Sequence, residues 1–428
     1  MKLNSEYLWK DYKMIKQSRI YALLQEKTIE IVVLFYILLF LIVGLSMQPI
    51  DELVRGLSNI FTASGILISD YMVIGGVGPA LVNASIVGLI GYVLLLYNGV
   101  VLRGISIATI FTMLGFALMG KTAWSVLPII FGVYIYSKLT KREFVTNIYP
   151  ALYGTALAPL VTHAAFYFEW GIFGGIIVGI LAGLVISPIA NHSLAFHEGY
   201  NLYNVGFSAG FLGLIILNII RVFGYDTESL LIWGTEFDNF LRIFLLFIFI
   251  SMVILGIFID NSRLKDYKKI LKEPGNTATD FVDIAGFGST LLNMGLIGLI
   301  GMAYIELVGG NYNGLTISGL YTMVGFASFG KHPLNSIPIM IGVWLASLIS
   351  IYEVNGPGTI LAALFGTTLA PISGRYGPIV GILAGVTHLT LVSTIGVVHG
   401  GLNLYNNGFT GGFIAAFFIA IIKGIKED

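Results

Sequence analysis

The chain is 428 residues long, 56% hydrophobic and 11% charged, well under the roughly 25% charge of a soluble globular domain. With 23 basic residues balancing 23 acidic ones and no cysteine, it has no global basic surface for nucleic acid and no disulfide, thiolate metal site or cysteine nucleophile. Glycine, at 53 residues, exceeds its usual share of about 7%, as expected of membrane helices that pack backbone to backbone.

Residues 1–27 are polar and carry Lys2, Lys10, Lys13, Lys16, Arg19 and Lys27. No small-residue cleavage site follows a short apolar core, so the segment reads as a cytoplasmic basic anchor and not as a signal peptide. Tyr7, Leu8, Met14, Ile15 and Ile20 offer one face for an interfacial helix. A helix that crosses about 30 Å of hydrocarbon needs about 20 apolar residues, and the first such run is 28–47. Others follow at 72–97, 104–119, 124–139, 148–168, 170–191 and 202–222, then at 237–260, 285–307, 312–329, 333–352, 358–371, 374–396 and 402–424. Several are shorter than a full span, which predicts broken or re-entrant helices.

Basic residues mark cytoplasmic loops. Lys138, Lys141 and Arg142 form one such cluster, Arg263, Lys265, Lys268, Lys269 and Lys272 another, and Lys423 with Lys426 a third. The acidic stretch with Asp226, Glu228, Glu236 and Asp238, and the loop around Glu353, carry no Lys or Arg and are assigned outside. Fourteen crossings satisfy every assignment and place both termini in the cytoplasm, which predicts a multi-pass protein of the plasma (inner) membrane surrounded by lipid.

Self-comparison shows an internal repeat. Gly115-Phe116-Ala117-Leu118-Met119-Gly120-Lys121 returns as Gly325-Phe326-Ala327-Ser328-Phe329-Gly330-Lys331, and Asp70, Asn83 and Pro128 pair with Asp280, Asn293 and Pro338. Gly154-Thr155-Ala156-Leu157-Ala158-Pro159 matches Gly366-Thr367-Thr368-Leu369-Ala370-Pro371. The strongest match sets His197-Glu198-Gly199-Tyr200-Asn201-Leu202-Tyr203-Asn204-Val205-Gly206-Phe207 against His399-Gly400-Gly401-Leu402-Asn403-Leu404-Tyr405-Asn406-Asn407-Gly408-Phe409. The basic loop after the fourth segment faces a non-basic counterpart around Glu353, so the halves have opposite orientations. The expected fold is all-α and polytopic: about 14 segments in two inverted-topology repeats, residues 28–225 and 226–428.

The duplicated motifs supply the candidate solute contacts. Pro159 and Pro371 remove a backbone donor, and paired broken helices point to a binding site, here with Thr155, Thr367 and Thr368. Asn201 with Asn204, and Asn403 with Asn406, are three residues apart and expected on one helical face, where amides can replace water around a solute or hydrogen-bond across helices. Tyr203 and Tyr405 lie between them as stacking or gating residues. His197 and His399 are read as helix-start residues or as a gate or proton relay. Lys121 and Lys331 either cap a helix and snorkel to the interface or, buried near the midplane, favour an anion, with His163 and Arg375 in support. Asp70 and Asp280 read as helix starts or as ion-coupling carboxylates. His192 and His197 lack a symmetric partner pair, so no metal site is assigned.

Through the two Asn-Leu-Tyr-Asn-x-Gly-Phe copies the sequence resembles a bacterial family of multi-pass membrane proteins catalogued as a domain of unknown function, over most of the chain. It is similar more faintly to urea transporters, in its Asn-Gly segments and inverted halves, but lacks their Asn-Asn-Pro signature. The segment count also resembles seven-plus-seven exchangers, in architecture alone. The resulting expectation is a secondary transporter of a small polar or anionic solute by alternating access. The alternative is a selective channel for a small neutral solute or anion; an integral membrane enzyme is a weaker reading. No cofactor and no nucleic-acid partner are expected, and the glycine-rich faces permit a homo-oligomer.

Overall fold

The computed structural model of the chain describes residues 3–228, 230–259 and 264–426. The side chains of residues 3–23, which include the proposed amphipathic face, and those of Lys2, Arg263 and Lys426 lie outside the described residues. In chain order the helices are α1 (Leu3–Met47), α2 (Ile50–Thr62), α3 (Tyr71–Gly75), α4 (Val77–Tyr97), α5 (Gly104–Phe116), α6 (Ala123–Leu139), α7 (Ile148–Gly154), α8 (Ala158–Phe166), α9 (Gly171–His197) and α10 (Asn204–Val222). The second half continues with α11 (Asp238–Phe258), α12 (Leu264–Ile270), α13 (Phe281–Leu307), α14 (Gly314–Phe326), α15 (Pro333–Leu348), α16 (Pro357–Gly366), α17 (Ala370–Tyr376), α18 (Pro378–Ile395) and α19 (Asn406–Lys426). Among the described residues no strand forms beyond one isolated bridge, Ser69 with Ile232.

Eight helices are long and apolar enough to cross a membrane, and they fall as counterparts: parts of α1, α4, α9 and α10 in one half, of α11, α13, α18 and α19 in the other. The chain is thus a polytopic helical membrane protein, since a helix can satisfy its backbone hydrogen bonds within the span. Of the shorter apolar helices, α5 and α14 are buried along nearly their whole length, whereas α6 and α15 each keep one apolar face exposed. At 13 residues each, α5 and α14 extend only about 20 Å, less than the roughly 30 Å of hydrocarbon.

Lipid provides no hydrophobic drive for helix association, so close backbone approach carries the packing. Where α6 crosses α9, a Cβ on Gly132 would lie 2.2 Å from the Ile180 carbonyl oxygen, and where α15 crosses α18, a Cβ on Gly342 would lie 2.1 Å from that of Ile382. The same glycine does the same work in each half.

Contacts between the halves are reciprocal, as a two-fold relation requires. Gly115 on α5 approaches Ser318 and Tyr321 on α14, while Gly325 on α14 approaches Ala108 and Phe111 on α5. The first residue of α5, Gly104, abuts Ser328 beyond the far end of α14, and Gly314 abuts Leu118 beyond the far end of α5, so these counterpart helices run antiparallel. Each N-terminus is held by the other half. Asp280 Oδ2 accepts the Gly104 N–H at 2.8 Å, and Asp70 accepts the Gly314 N–H. Both aspartates also cap their own chain, at Met72 and Val282. Their oxygens are filled by backbone donors, which places them as caps.

The helices are broken beside both repeated prolines, as expected. At Pro159 and Pro371 the helix is jointed, not unwound: 3-10 turns at Thr155–Leu157 and Thr367–Leu369 connect α7 to α8 and α16 to α17. Each proline sits in the first turn of the following helix, where its missing N–H has no helical partner to lose. Further interruptions come earlier, between α5 and α6 and between α14 and α15, at the two Gly-Lys pairs.

Candidate functional site

After Phe116 the chain turns through Ala117–Gly120 before Thr122 caps α6. Such a turn leaves carbonyls without helical donors, and Asn83 supplies them: its Nδ2 donates to the Ala117 carbonyl at 2.7 Å and the Lys121 carbonyl at 2.8 Å. Asn293 does the same for Ala327 and Lys331, at 2.7 Å each. This brace fixes where each lysine emerges.

Neither lysine snorkels. Lys121 and Lys331 are both 0% exposed, because their helices stop inside the bundle. Lys121 Nζ donates to Thr155 Oγ1 at 2.8 Å and to the Tyr405 hydroxyl, and Lys331 Nζ donates to Thr367 Oγ1 at 2.8 Å and to the Tyr203 hydroxyl. Each lysine therefore joins a threonine of its own half to a tyrosine of the other. Rings enclose the ammonium groups: Lys121 lies 4.7 Å from the Tyr405 centroid and 5.6 Å from that of Phe116, and Lys331 lies 4.5 Å from Tyr203 and 5.4 Å from Phe326. Among the described residues neither lysine has a carboxylate partner. An ammonium offers three donors and a tyrosine hydroxyl both gives and takes. A lysine that donates to the tyrosine oxygen leaves the phenolic hydrogen for another acceptor and polarises it.

The asparagines divide into two kinds. Asn201 and Asn403 precede α10 and α19, so the pairs Asn201/Asn204 and Asn403/Asn406 do not share a helical face as expected; Leu202 N bonds the Thr368 carbonyl at 3.1 Å and Leu404 N that of Ala156 at 3.0 Å, which pulls the segment straight. Both are 0% exposed. Asn201 Nδ2 donates to the Gly408 carbonyl at 2.9 Å and Asn403 Nδ2 to the Gly206 carbonyl at 3.2 Å, bracing the crossing of α10 and α19. Thr368 joins this brace through its hydroxyl, which donates to Asn201 Oδ1 at 2.6 Å. Asn204 and Asn406 instead accept from His197 Nε2 at 3.0 Å and His399 Nε2 at 2.9 Å. The histidines lie at helix ends, His197 closing α9 and His399 in the 3-10 turn Gly396–His399, where they anchor the two amides. His163 bonds Ser64 and stacks on Tyr167, and Arg375 is exposed, so neither joins the lysines.

Two cavities reach this centre. The first, about 290 Å³, is lined by Tyr203 and Tyr405, Phe116 and Phe326, and Thr112 and Thr322, which are repeat counterparts, and extends past Ile105, Tyr149, Asn191 and Thr277. The second, about 530 Å³, is lined by Leu67, Met119, Leu361, Ser393 and Asn406. Leu67, Leu361, Ser393 and Asn406 are the repeat counterparts of Thr277, Tyr149, Asn191 and Asn204, so the cavities are related as the halves are. Ile105 opens α5 whereas Met119 lies beyond its end, hence they approach the axis from opposite ends of the bundle. Phe365, Leu404 and Asn407 line both and form the partition. The axial chamber joins the first cavity.

Phe116 and Phe326 stand in the duplicated Gly-Phe-Ala motif, so the repeat itself could have nominated them. Asn407 and His388 have no duplicated signal, since their counterparts are Val205 and Ile186. Among the described residues no group of three or more His, Asp or Glu is arranged to hold a metal ion.

The chain belongs to the family described as Protein of unknown function (DUF1576), which matches residues 50–222 and 259–424. No curated protein and no solved structure matches it.

Proposed function

We propose that the protein is a secondary transporter of a small polar or anionic solute that works by alternating access, built from two inverted repeats of seven segments. The observation that carries this reading is the pair of counterpart cavities, approaching one axial chamber from opposite ends and separated by a single layer of Phe365, Leu404 and Asn407. Exchange of the two halves' conformations would open the chamber to the second cavity and close it with Tyr153, Leu202 and Val205, the repeat counterparts of that layer. The first cavity ends near Tyr149 and Thr277, which follow the basic loops, and the second near Thr227, Leu230 and Leu231 in the acidic stretch. By the positive-inside rule this conformer is inward-facing.

The solute class follows from the donors. Two buried lysine amino groups, with no carboxylate partner among the described residues, are donors, and the hydroxyls of Tyr203 and Tyr405 that they hold favour an acceptor-bearing solute at the chamber. Thr155 and Thr367 hold the lysines for this task. A ligand that prefers the folded protein raises its apparent stability by mass action, so purified protein is screened against small anions, neutral amides, nucleobases and amino acids. The stabilising solute is then used in proteoliposomes, where unlabelled solute inside should accelerate uptake of labelled solute. Uptake without counterflow would identify a channel, and no uptake at all would overturn both. Thr140→Cys and Asn355→Cys, in a cysteine-free background, should label from opposite sides; same-side labelling would overturn the inverted arrangement.

A further inference from the structure

The two halves match closely around the lysines, which makes a departure between them informative. Gly154 of α7 faces Ile186 of α9, but its counterpart Gly366 of α16 faces His388 of α18. Beside it, Val205 is replaced in the second half by Asn407. The two replacements bond each other: His388 Nε2 lies 2.9 Å from Asn407 Oδ1. Because an amide oxygen only accepts, Nε2 carries the hydrogen, and His388 fixes the amide so that its Nδ2 is the free end. Nδ2 makes no hydrogen bond among the described residues, and Asn407 lines both cavities. One donor therefore stands off the axis, in one half only.

The rest of the chamber restricts what meets that donor. Aromatic rings dominate its lining, and a ring of rings commonly attracts cations. Here the faces of Tyr203, Phe326, Tyr405 and Phe116 are already occupied by the amino groups of Lys331 and Lys121, which leaves them less available to a cation. Planar contact with rings remains favourable. A cavity of about 290 Å³ has room for a small substituted ring.

Resting on the transporter reading above, we propose that Asn407, positioned by His388, is the residue that selects and orients the solute, and that the solute is a small planar carboxylate of the aromatic acid class. The tyrosine hydroxyls and the Asn407 Nδ2 supply donors to its carboxylate, and the rings hold its face. His388 is a positioning residue that acts through Asn407.

The test uses benzoate, with benzylammonium and benzamide as the cationic and neutral matches, and reads ligand-induced thermal stabilisation of the full chain in detergent. Wild type should be stabilised by benzoate and not by benzylammonium. The double variant Asn407→Val/His388→Ile installs the pair of side chains that the other half already accommodates, so its ligand-free melting temperature should stay close to wild type, while each single variant, which leaves the other partner unpaired, is read for binding below its own melting temperature. Asn407→Val should weaken benzoate binding at least tenfold, and Asn407→Asp, which turns a carboxylate oxygen to the solute, should abolish it. His388→Ile should weaken it less, with His388→Gln restoring it by donating to the same oxygen. Benzoate binding unchanged in Asn407→Val and Asn407→Asp would overturn the role of Asn407. Stabilisation of wild type by benzamide or benzylammonium but not benzoate would overturn the solute class while leaving transport intact. Absence of both binding and flux for every solute class would overturn transport itself.

Discussion

Lys121 of the first half donates to the hydroxyl of Tyr405 in the second and lies 4.7 Å from the centre of its ring. Lys331 and Tyr203 repeat the contact in the opposite direction. Two clasps thus tie the halves together across the chamber, and each holds a residue of the other half against a buried lysine. A symmetric pair of clasps suits a machine with two equivalent end states, because loosening one while tightening the other changes little in total energy.

Replacing a clasp separates function from stability. Burial of a lysine head group is costly, and its removal offsets the hydrogen bonds that the threonine and tyrosine lose, so Lys121→Met and Lys331→Met should change the melting temperature little. Flux of the stabilising solute should nonetheless fall at least tenfold in each, since the tyrosine loses the donor that orients it. Parallel measurement of melting temperature and proteoliposome uptake checks both halves of this expectation.

The asparagine braces should behave in the opposite way. Asn201→Ala leaves the Gly408 carbonyl and the Thr368 hydroxyl without their partner, and Asn403→Ala leaves the Gly206 carbonyl. A buried group left unsatisfied costs about 1–3 kcal/mol, so both variants should melt earlier, Asn201→Ala more so because Ala156 stands where Thr368 does in the other half. Solute affinity of the folded fraction should be unchanged, as measured by titration below the lowered melting temperature.

Asp70 and Asp280 should prove to be caps in function as in position. Asp280→Asn keeps an acceptor for the Gly104 N–H but loses its charge, which weakens a charge-assisted bond and should lower stability by roughly 1 kcal/mol. The dependence of flux on sodium or proton gradients should be the same as in wild type, measured as uptake under each gradient.

Much of this architecture is legible in the sequence. The apolar runs predict the helices, and the Gly-Lys repeats nominate the pair that the bundle buries. What the sequence withholds is who meets whom. A duplicated Lys and a duplicated Tyr are equally compatible with contacts within or across halves, and only the antiparallel approach of α5 and α14 decides for the second. The Asn-Leu-Tyr-Asn segments read as helical because local spacing is all that a sequence offers; the backbone bonds from Leu202 and Leu404 that straighten them come from residues far along the chain. The prolines mark where the helix breaks but not how, for a similar reason, since a first-turn proline extends a helix as readily as an interior one disrupts it. His388 and Asn407 escape a search for repeats because they are where the repeat fails.

Alternating access requires that one axial chamber be reached in turn from both sides, and Thr112 reports on it directly. It lines the chamber, its hydroxyl has no partner among the described residues, and Thr112→Cys changes little in volume. Labelling with a membrane-impermeant maleimide in oriented vesicles, applied first to one side and then to the other, should modify this cysteine from both sides while none of the reagent crosses the membrane. Modification from one side alone, or passage of the reagent through the protein, would contradict alternating access.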